Sequence, residues 1–258
     1  MTKSLSIAPD LGARARLLDA AADIFGTYNL EGATTRQLAE RAGVNQAAIP
    51  YYFGGKEGLY LATVEHFFSV HAPTIQSVVA EIRSKLAAND IDRSEALNLL
   101  KRLLEQMLEV LLRQQTNRSF GRIIIREQMQ PTKAFDLIYE RVIRHVHETI
   151  SVLLAIVLDR KADDRAVILR AQMIVGQILI FLSGRETIRR RLNLTGYTEQ
   201  EYAEIKAALD EQLDLLKPVG LASPFAKGSD LAKASSDKSS DRSEDKSEAH
   251  STKRGGRK

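Results

Sequence analysis

Residues 34–56 constrain the fold more than any other segment of this 258-residue chain. Thr34 and Gln37 have the spacing of a capping box, in which the two side chains and backbone N–H groups satisfy each other at the start of a helix. Gly43 suits the left-handed position that ends a helix, and Asn45 suits the N-cap of a second one. We therefore expect two short helices joined by a tight turn. The first residues of such a second helix can face base edges in the major groove of DNA.

Ten residues in this segment are predicted to contact DNA: Thr34, Thr35, Arg36, Asn45, Gln46, Ala47, Pro50, Tyr51, Tyr52 and Lys56. Arg36 lies in a first helical turn and can reach a phosphate or a guanine edge, and a solvated surface charge is the alternative. Gln46 carries the amide that pairs with adenine through two hydrogen bonds. Tyr51 offers its ring to a thymine methyl group. Tyr52 either contacts a phosphate or fixes the second helix to the helix predicted over 13–28.

Residues 14–62 resemble the DNA-binding domain of the TetR family of bacterial transcriptional regulators. The resemblance rests on LLDAAADIFGTYNLEGATTRQLAERAGVN and on YYFGGKEGLY, which is similar to the family signature YF-x-SKE-x-L with Gly55 in place of the usual serine. It implies that Lys56 contacts a phosphate and that the helix beginning there transmits movement. Pro50 stands where many members have tyrosine. Because proline disfavours helix at Ile49, we expect a kinked helix or a new turn beginning at Pro50.

Three further segments, 126–132, 176–179 and 184–187, resemble the C-terminal domain of CecR-like TetR regulators. Their sequences are REQMQPT, GQIL and GRET. With the DNA-binding segment, the resemblance extends over residues 14–216. It implies a regulator without catalytic chemistry.

The rest of the pattern is helical, and strand signals are absent from the sequence. The expected fold is all-α, with an N-terminal three-helix helix-turn-helix domain followed by a helical ligand-binding and dimerisation domain of the TetR type. Helices are predicted over 13–28, 34–42, 45–52, 56–71, 75–86, 93–115, 120–129, 133–158, 165–184, 185–193 and 198–216. The helix 56–71 is expected to end before Pro73, and Asn117 is a candidate cap for the helix 120–129. The predicted domains are a flexible leader (1–12), the DNA-binding domain (13–72), the C-terminal domain (73–217) and a disordered Ser/Lys/Asp-rich tail (218–258).

The formal net charge of +4 does not lie in the DNA-binding segment. Residues 1–71 contain six Lys and Arg against seven Asp and Glu, whereas residues 218–258 contain nine against six. DNA affinity must therefore come from locally placed donors, from helix N-termini and from doubling in a dimer. The basic C-terminal end either touches phosphates without sequence preference or serves as a solubilising tail.

Several classes of function are disfavoured by composition and spacing. The chain has no cysteine, which excludes disulfides, thiolate catalysis and Cys-ligated zinc. The histidine pairs 145/147 and 66/71 are badly spaced for one metal ion, so we expect no metal site and no cofactor. No nucleophile–base motif or phosphate-binding glycine loop points to an enzyme. No signal segment or membrane-spanning run is expected, which favours a cytoplasmic protein; the apolar stretches 150–158 and 173–182 are interpreted as buried helices.

Polar groups on otherwise apolar helices predict a ligand pocket in the body, with interhelical contacts as the alternative. The candidates are Phe120, Arg126, Glu127, Gln128, Gln177 and Phe181. The sequence thus predicts a homodimeric repressor, paired through helices 165–184 and 198–216, that binds a palindromic operator in double-stranded DNA and is released by a small apolar effector. An activator or a ligand-independent DNA-binding regulator is the alternative.

Overall fold

The computed structural model describes residues 11–88, 91–113 and 115–217, and within them every regular element is helical. This confirms the predicted all-α class. The predicted tail, 218–258, and nearly all of the predicted leader lie outside the described residues. The elements are α1 (Leu11–Gly32), α2 (Thr35–Ala42), α3 (Ala48–Phe53), α4 (Lys56–Ala87), α5 (Arg93–Leu108), α6 (Gln115–Met129), α7 (Lys133–Ile138), α8 (Arg144–Leu158), α9 (Arg165–Ser183), α10 (Arg185–Leu192) and α11 (Glu199–Asp214), with π-helical segments at Glu109–Arg113 and Tyr139–Ile143.

The turn chemistry at both ends of α2 is present as predicted. The Gln37 backbone N–H donates to Thr34 Oγ1 over 3.2 Å, and the Thr34 N–H donates to Gln37 Oε1 over 2.9 Å. Gly43 has φ +63°, and its N–H bonds back into the last turn of α2. Because both ends are fixed by local bonds, the positions at which α2 begins and ends depend little on distant parts of the chain.

The first helix is longer than the predicted 13–28. α1 continues to Gly32 across a kink at Asn29, where φ is +63° and ψ is 179°. The Asn29 side-chain oxygen accepts the Gly32 N–H over 2.6 Å, which supports the last turn beyond the kink. A residue other than glycine is strained at this pair of angles, and the hydrogen bond from Gly32 helps to hold Asn29 there.

The predicted end of a helix at residue 71 is wrong, because α4 continues through Pro73 to Ala87. A proline removes one backbone hydrogen bond and costs about 3 kcal/mol inside a helix. Pro73 and Ser69, whose carbonyl loses its partner, are both exposed, so water can reach that carbonyl. Side chains on both sides of the proline are buried against neighbouring helices and offset the cost; they include Thr63, Val64, Ile75, Val78 and Val79.

Two other long helices differ from their predicted outlines. The predicted helix 93–115 is interrupted by the π-helical segment Glu109–Arg113, and the predicted helix 133–158 contains the π-helical segment Tyr139–Ile143. Each π segment adds a residue to a turn and re-aims the side chains after it. α6 begins at Gln115, five residues earlier than predicted, and the side chain of the predicted cap at position 117 lies outside the described part.

One hydrophobic core joins the DNA-binding head, α1–α3 and the start of α4, to the body. Leu17, Leu38 and Ile49 of the head are fully buried in the same cluster as Phe120 and Ile123 of α6. All the described residues belong to one compact unit. The head is therefore packed against α6, and a change in α6 can reach it directly.

Candidate DNA-binding surface and its contact with the body

The second helix of the helix-turn-helix begins later than predicted. α3 starts at Ala48, three residues after the expected N-cap at Asn45. Asn45 still holds the start of the segment, because its side-chain oxygen accepts the Ala47 N–H over 2.8 Å and its carbonyl accepts the Ala48 N–H over 2.9 Å. Gln46 therefore lies in the turn before α3 rather than in a helical turn.

Pro50 neither kinks α3 nor starts a new turn, contrary to both expectations. It is the third residue of α3, where a backbone N–H would have no partner within the helix. The Tyr51 N–H donates to Ala47 O over 3.3 Å, and the Gly54 N–H donates to Pro50 O over 3.0 Å. Proline is tolerated in a first turn, so the short length of α3 makes this substitution harmless to its geometry.

The side chains of α3 divide between the head core and solvent. Ile49 is fully buried, Tyr52 is half-buried against the head core, and Tyr51 is exposed. The two tyrosine rings meet edge to face with centroids 4.8 Å apart. The half-buried ring of Tyr52 thus helps to hold the exposed ring of Tyr51 in place.

None of the ten predicted DNA contacts is buried. Gln46 Nε2 donates to Thr35 Oγ1 over 2.6 Å, which links the start of α2 to the turn before α3. Arg36 Nε donates to Glu40 Oε1 over 2.7 Å, and this pair is largely exposed. The hydrogen bond and the charge of Glu40 raise the pKa of Arg36. Arg36 must exchange this carboxylate for a phosphate or a base if it contacts DNA.

Lys56 has a structural engagement that sequence reasoning did not foresee. Its Nζ donates to Ala33 O over 2.9 Å and to Glu31 O over 3.3 Å. The ammonium therefore ties the start of α4 to the connection between α1 and α2. A backbone carbonyl has no sequence signature, so no residue pattern indicates this contact.

Glu127 connects the head to the body through a buried carboxylate. It is 2% exposed, and its Oε1 accepts the hydroxyl of Tyr60 on α4 over 2.7 Å. Its Oε2 accepts the backbone N–H of Thr132, the N-cap of α7, over 2.9 Å. Burial, followed by the hydrogen bond and charge of Glu127, raises the pKa of Tyr60 far above its usual value. The tyrosine stays protonated and remains a donor at any physiological pH.

Two arginines of α6 hold the backbone of α1. Arg126 Nη1 donates to Phe25 O over 2.8 Å, and Arg122 Nε donates to Gly26 O over 2.8 Å. The helices approach so closely that a Cβ at Gly26 would lie 2.7 Å from Ser119 O. The segment REQMQPT therefore contains contacts to both α1 and α4 of the head.

The six predicted pocket residues do not line one cavity. Phe120 is buried with its ring stacked on Phe67, centroids 3.4 Å apart, and Glu127 is the buried bridge just described. Gln128 is exposed. Gln177 and Phe181 line a small cleft of about 180 Å³ between α9 and α11.

Arg126 lines a larger and separate cleft, of about 670 Å³, between the end of α1, α6 and the α9–α10 junction. This cleft includes residues of α1 and α10 that the sequence analysis did not select, such as Asn29 and Arg185. The contact between α1 and α6 brings them together, and that contact has no periodic signal in the sequence.

α9 corrects the expectation that no segment could span a membrane. By length and mean hydropathy (1.9 over 18 residues) α9 meets the requirement for crossing a bilayer, and a third of that window is buried. Core helices of soluble proteins meet the same requirement. Among the described residues, no group of three or more His, Cys, Asp or Glu could hold a metal ion.

Comparison with known proteins matches both parts of the chain. Residues 17–63 match the family described as "Bacterial regulatory proteins, tetR family", and residues 96–217 match "HTH-type transcriptional dual regulator CecR, C-terminal domain". The dual regulator CecR of Shigella flexneri is 34% identical over 204 residues, which are 79% of this chain and 91% of that protein. The HTH-type transcriptional regulator RutR of Escherichia coli K12 is 37% identical over 54 residues, 21% of this chain and 26% of that protein.

Solved structures agree on the fold. AmtR of Mycobacterium smegmatis superposes with a TM-score of 0.54 at 19% identity, covering 91% of this chain and 97% of its own. A TetR-like transcriptional regulator of Rhodococcus sp. RHA1 gives 0.52 at 16% identity, covering 80% and 97%. The expected resemblance is confirmed, and the chain belongs to the TetR family, with a CecR-like C-terminal domain, as a DNA-binding transcriptional regulator.

Proposed function

We propose that this protein is a homodimeric repressor whose operator complex dissociates when a small molecule binds the helical body. The observation that carries the proposal is the link Tyr60–Glu127–Thr132, which joins the reading head to the body through one buried carboxylate. A ligand that repositions α6 also moves the partner of α4. Release follows only if the ligand binds the DNA-incompetent state more tightly than the competent one.

The dimer is proposed to form through α9 and α11. Leu169, Met173, Gly176 and Ile180 recur on α9 at spacings of four, three and four residues, which places them on one face. The three large side chains of this apolar stripe are exposed, and Met173 is 68% exposed. An exposed apolar stripe of this kind favours burial against a second copy of the chain. The resulting dimer presents two reading heads.

DNA contact is assigned to the ten predicted residues, with roles adjusted to their geometry. Gln46 and Tyr51 are proposed to face base edges, and Arg36 a phosphate or guanine. Thr35 orients the Gln46 amide through their hydrogen bond. Lys56 is proposed to act by holding the α1–α2 connection in place as well as by its charge. A dimer is needed because each head reads only a few base pairs, and two heads related by two-fold symmetry match a palindromic operator.

A second candidate is a regulator that also activates transcription. It is favoured by the relative CecR, which is named a dual regulator. The reading head would be the same in both cases. Neither candidate includes a catalytic activity. Both candidates act in the cytoplasm, where the operator DNA lies.

Electrophoretic mobility shift with the DNA upstream of the gene that encodes this protein tests the proposal. Wild type should bind a specific fragment, and Gln46→Ala should lose the preference for that fragment over competitor DNA. Lys56→Ala should weaken binding to all DNA and flatten its salt dependence. Asn98→Ala, an exposed change on α5 outside the head and the proposed dimer helices, serves as the matched control. Equal binding by wild type and both head variants would reject the assignment.

Transcription from that same promoter separates the two candidates. A repressor decreases the transcript in a purified system, and its effector restores it. An increase in the transcript by the ligand-free protein would favour the activator.

A further inference from the structure

We infer that the cleft between the end of α1, α6 and the α9–α10 junction binds an amphipathic carboxylate, an organic acid with an apolar body. This inference rests on the proposed function, because it names the chemical class of the effector. The cleft has a volume of about 670 Å³, which lies within the range of small-molecule sites.

The charge of the cleft selects an anion. Arg122 and Arg126 of α6 and Arg185 of α10 all line it, and no Asp or Glu is among its described lining residues. Asp23 of α1 accepts bonds from Ser119 and Arg41, and it is linked to Arg122 through the hydroxyl of Ser119 rather than directly. Three arginines on the lining concentrate positive charge at one cleft, although the Arg185 guanidinium also lies 4.5 Å from the centroid of the Tyr197 ring. A carboxylate with two acceptor oxygens compensates that charge.

The walls of the cleft select an apolar body. Ile125, Met129 and Leu182 line it, and Met129 is 77% exposed, an unusual position for a large apolar side chain. Burying this surface under a ligand is favourable by about 25 cal/mol per Å². A bare inorganic anion would pair with the arginines but leave this apolar surface in water.

The same arginines that line the cleft also hold the head. Arg126 donates to Phe25 O and Arg122 to Gly26 O, both within α1. A carboxylate accepts a stronger hydrogen bond from a guanidinium than a neutral carbonyl does. A bound acid therefore competes for both guanidinium groups and loosens α1 from α6. Glu127, which holds α4, is the residue next to Arg126, so the contact with α4 begins one residue away from the wall of the cleft.

Isothermal titration of the purified full-length protein tests the ligand class with four probes. These are 4-phenylbutyrate, 4-phenylbutan-1-ol, 4-phenylbutylamine and inorganic phosphate. The acid should have at least about tenfold higher affinity than the alcohol, and the amine and phosphate should bind more weakly than the alcohol. Equal affinity for acid and alcohol, tighter binding of the amine, or binding of phosphate alone would overturn the inference. So would the absence of binding by all four.

A matched pair of variants on α10 locates the site. Arg185→Gln should weaken the acid about tenfold and leave the alcohol unchanged. Arg191→Gln removes an exposed arginine six residues further along the same helix and should leave both affinities unchanged. Equal effects of the two changes would place the acid elsewhere. Arg122→Gln provides a second test inside the cleft should Arg185→Gln fail to fold.

The operator assay separates failure of this inference from failure of the proposed function. If the inference and the proposed function both hold, 4-phenylbutyrate releases the operator from the wild-type protein, and a higher concentration of the acid is needed to release it from Arg185→Gln. Operator binding that persists when the cleft is saturated with the acid would overturn the cleft as the effector site and leave the repressor proposal standing. If the wild-type protein does not bind the promoter DNA specifically, the proposed function is rejected. The titration still decides which of the four probes the cleft binds.

Discussion

Tyr60 of α4 donates a 2.7 Å hydrogen bond to the buried carboxylate of Glu127 on α6, and this bond crosses from the DNA-binding head to the body. The two residues are 67 positions apart in the sequence. The second oxygen of the carboxylate accepts the backbone N–H of Thr132, the residue that caps the start of α7. A buried carboxylate is stable only when its oxygens accept hydrogen bonds. The head and the α6–α7 connection therefore both supply donors to the same buried charge, and losing either donor leaves that charge less well bonded.

Tyr60→Phe should destabilise the protein, because it leaves Oε1 of the buried Glu127 carboxylate with the hydroxyl of Thr132 as its remaining donor. The expected cost is about 1–3 kcal/mol, measured by urea denaturation of the full-length protein. Tyr197→Phe is the control, since its hydroxyl donates only to a carbonyl, Phe181 O, in a partly exposed position. Similar losses for the two variants would contradict a special role for the carboxylate.

The paired variant Tyr60→Phe/Glu127→Gln tests the same bond by another route. If the carboxylate is the source of the cost, the double variant should lose less stability than the sum of the single changes. Additive losses, measured in the same denaturation experiment, would mean that the two side chains do not depend on each other.

His147 should make the protein less stable in mild acid. Burial lowers its pKa below the usual 6.5, so the folded protein keeps this imidazole neutral while the unfolded chain binds a proton. Its contribution is therefore present above about pH 6.5 and lost as the pH falls through the lowered folded value. Thermal unfolding between pH 7.5 and 5 should show a shallower decline for His147→Gln than for wild type. A parallel decline in both proteins would refute this.

Gly26→Ala should weaken the contact between α1 and α6. The added methyl group would lie 2.7 Å from the backbone oxygen of Ser119, so one helix must shift. Overpacking of this kind costs about 1–3 kcal/mol and should appear as a lower melting temperature. Thr27→Ala, at the exposed neighbouring position of α1, should change stability little. A melting temperature for Gly26→Ala at or above that of wild type would mean that the helices are not held at this distance.

Local chemistry explains what the sequence could predict. The capping box at Thr34 and the left-handed Gly43 involve partners within five residues, so their pattern is readable and both were confirmed. Pro73 does not end α4, although the local rule that proline disfavours a helix predicts an end there. Side chains buried before and after Pro73 outweigh that rule, and their burial depends on how α4 packs against other helices. Propensity alone does not contain that information.

The functional contacts divide in the same way. Gln46 and Tyr51 were selected for their chemistry, and the structure exposes both. Lys56 bonds carbonyls more than 20 residues earlier, and Glu127 bonds a tyrosine in another helix. A sequence shows that a charged residue lies on an apolar helix, but the tertiary fold decides whether it faces a ligand or a buried partner.

The apolar stripe of α9 makes a prediction about assembly. Met173→Glu places a charge at the centre of the proposed dimer face, where burial without a partner is costly. The variant should be monomeric by light scattering, and its affinity for the operator should fall more than tenfold because the two heads no longer bind together. Its helical content should match that of wild type, since Met173 is exposed in the single chain.

Val70→Glu is the matched control, because it introduces the same charge at an exposed apolar residue of α4, outside the stripe. It should leave the dimer intact. If it dissociates the dimer and Met173→Glu does not, the copies pair through a different surface. A wild-type protein that is monomeric at micromolar concentration would leave the stripe without its proposed partner, and one reading head would then have to account for all operator affinity.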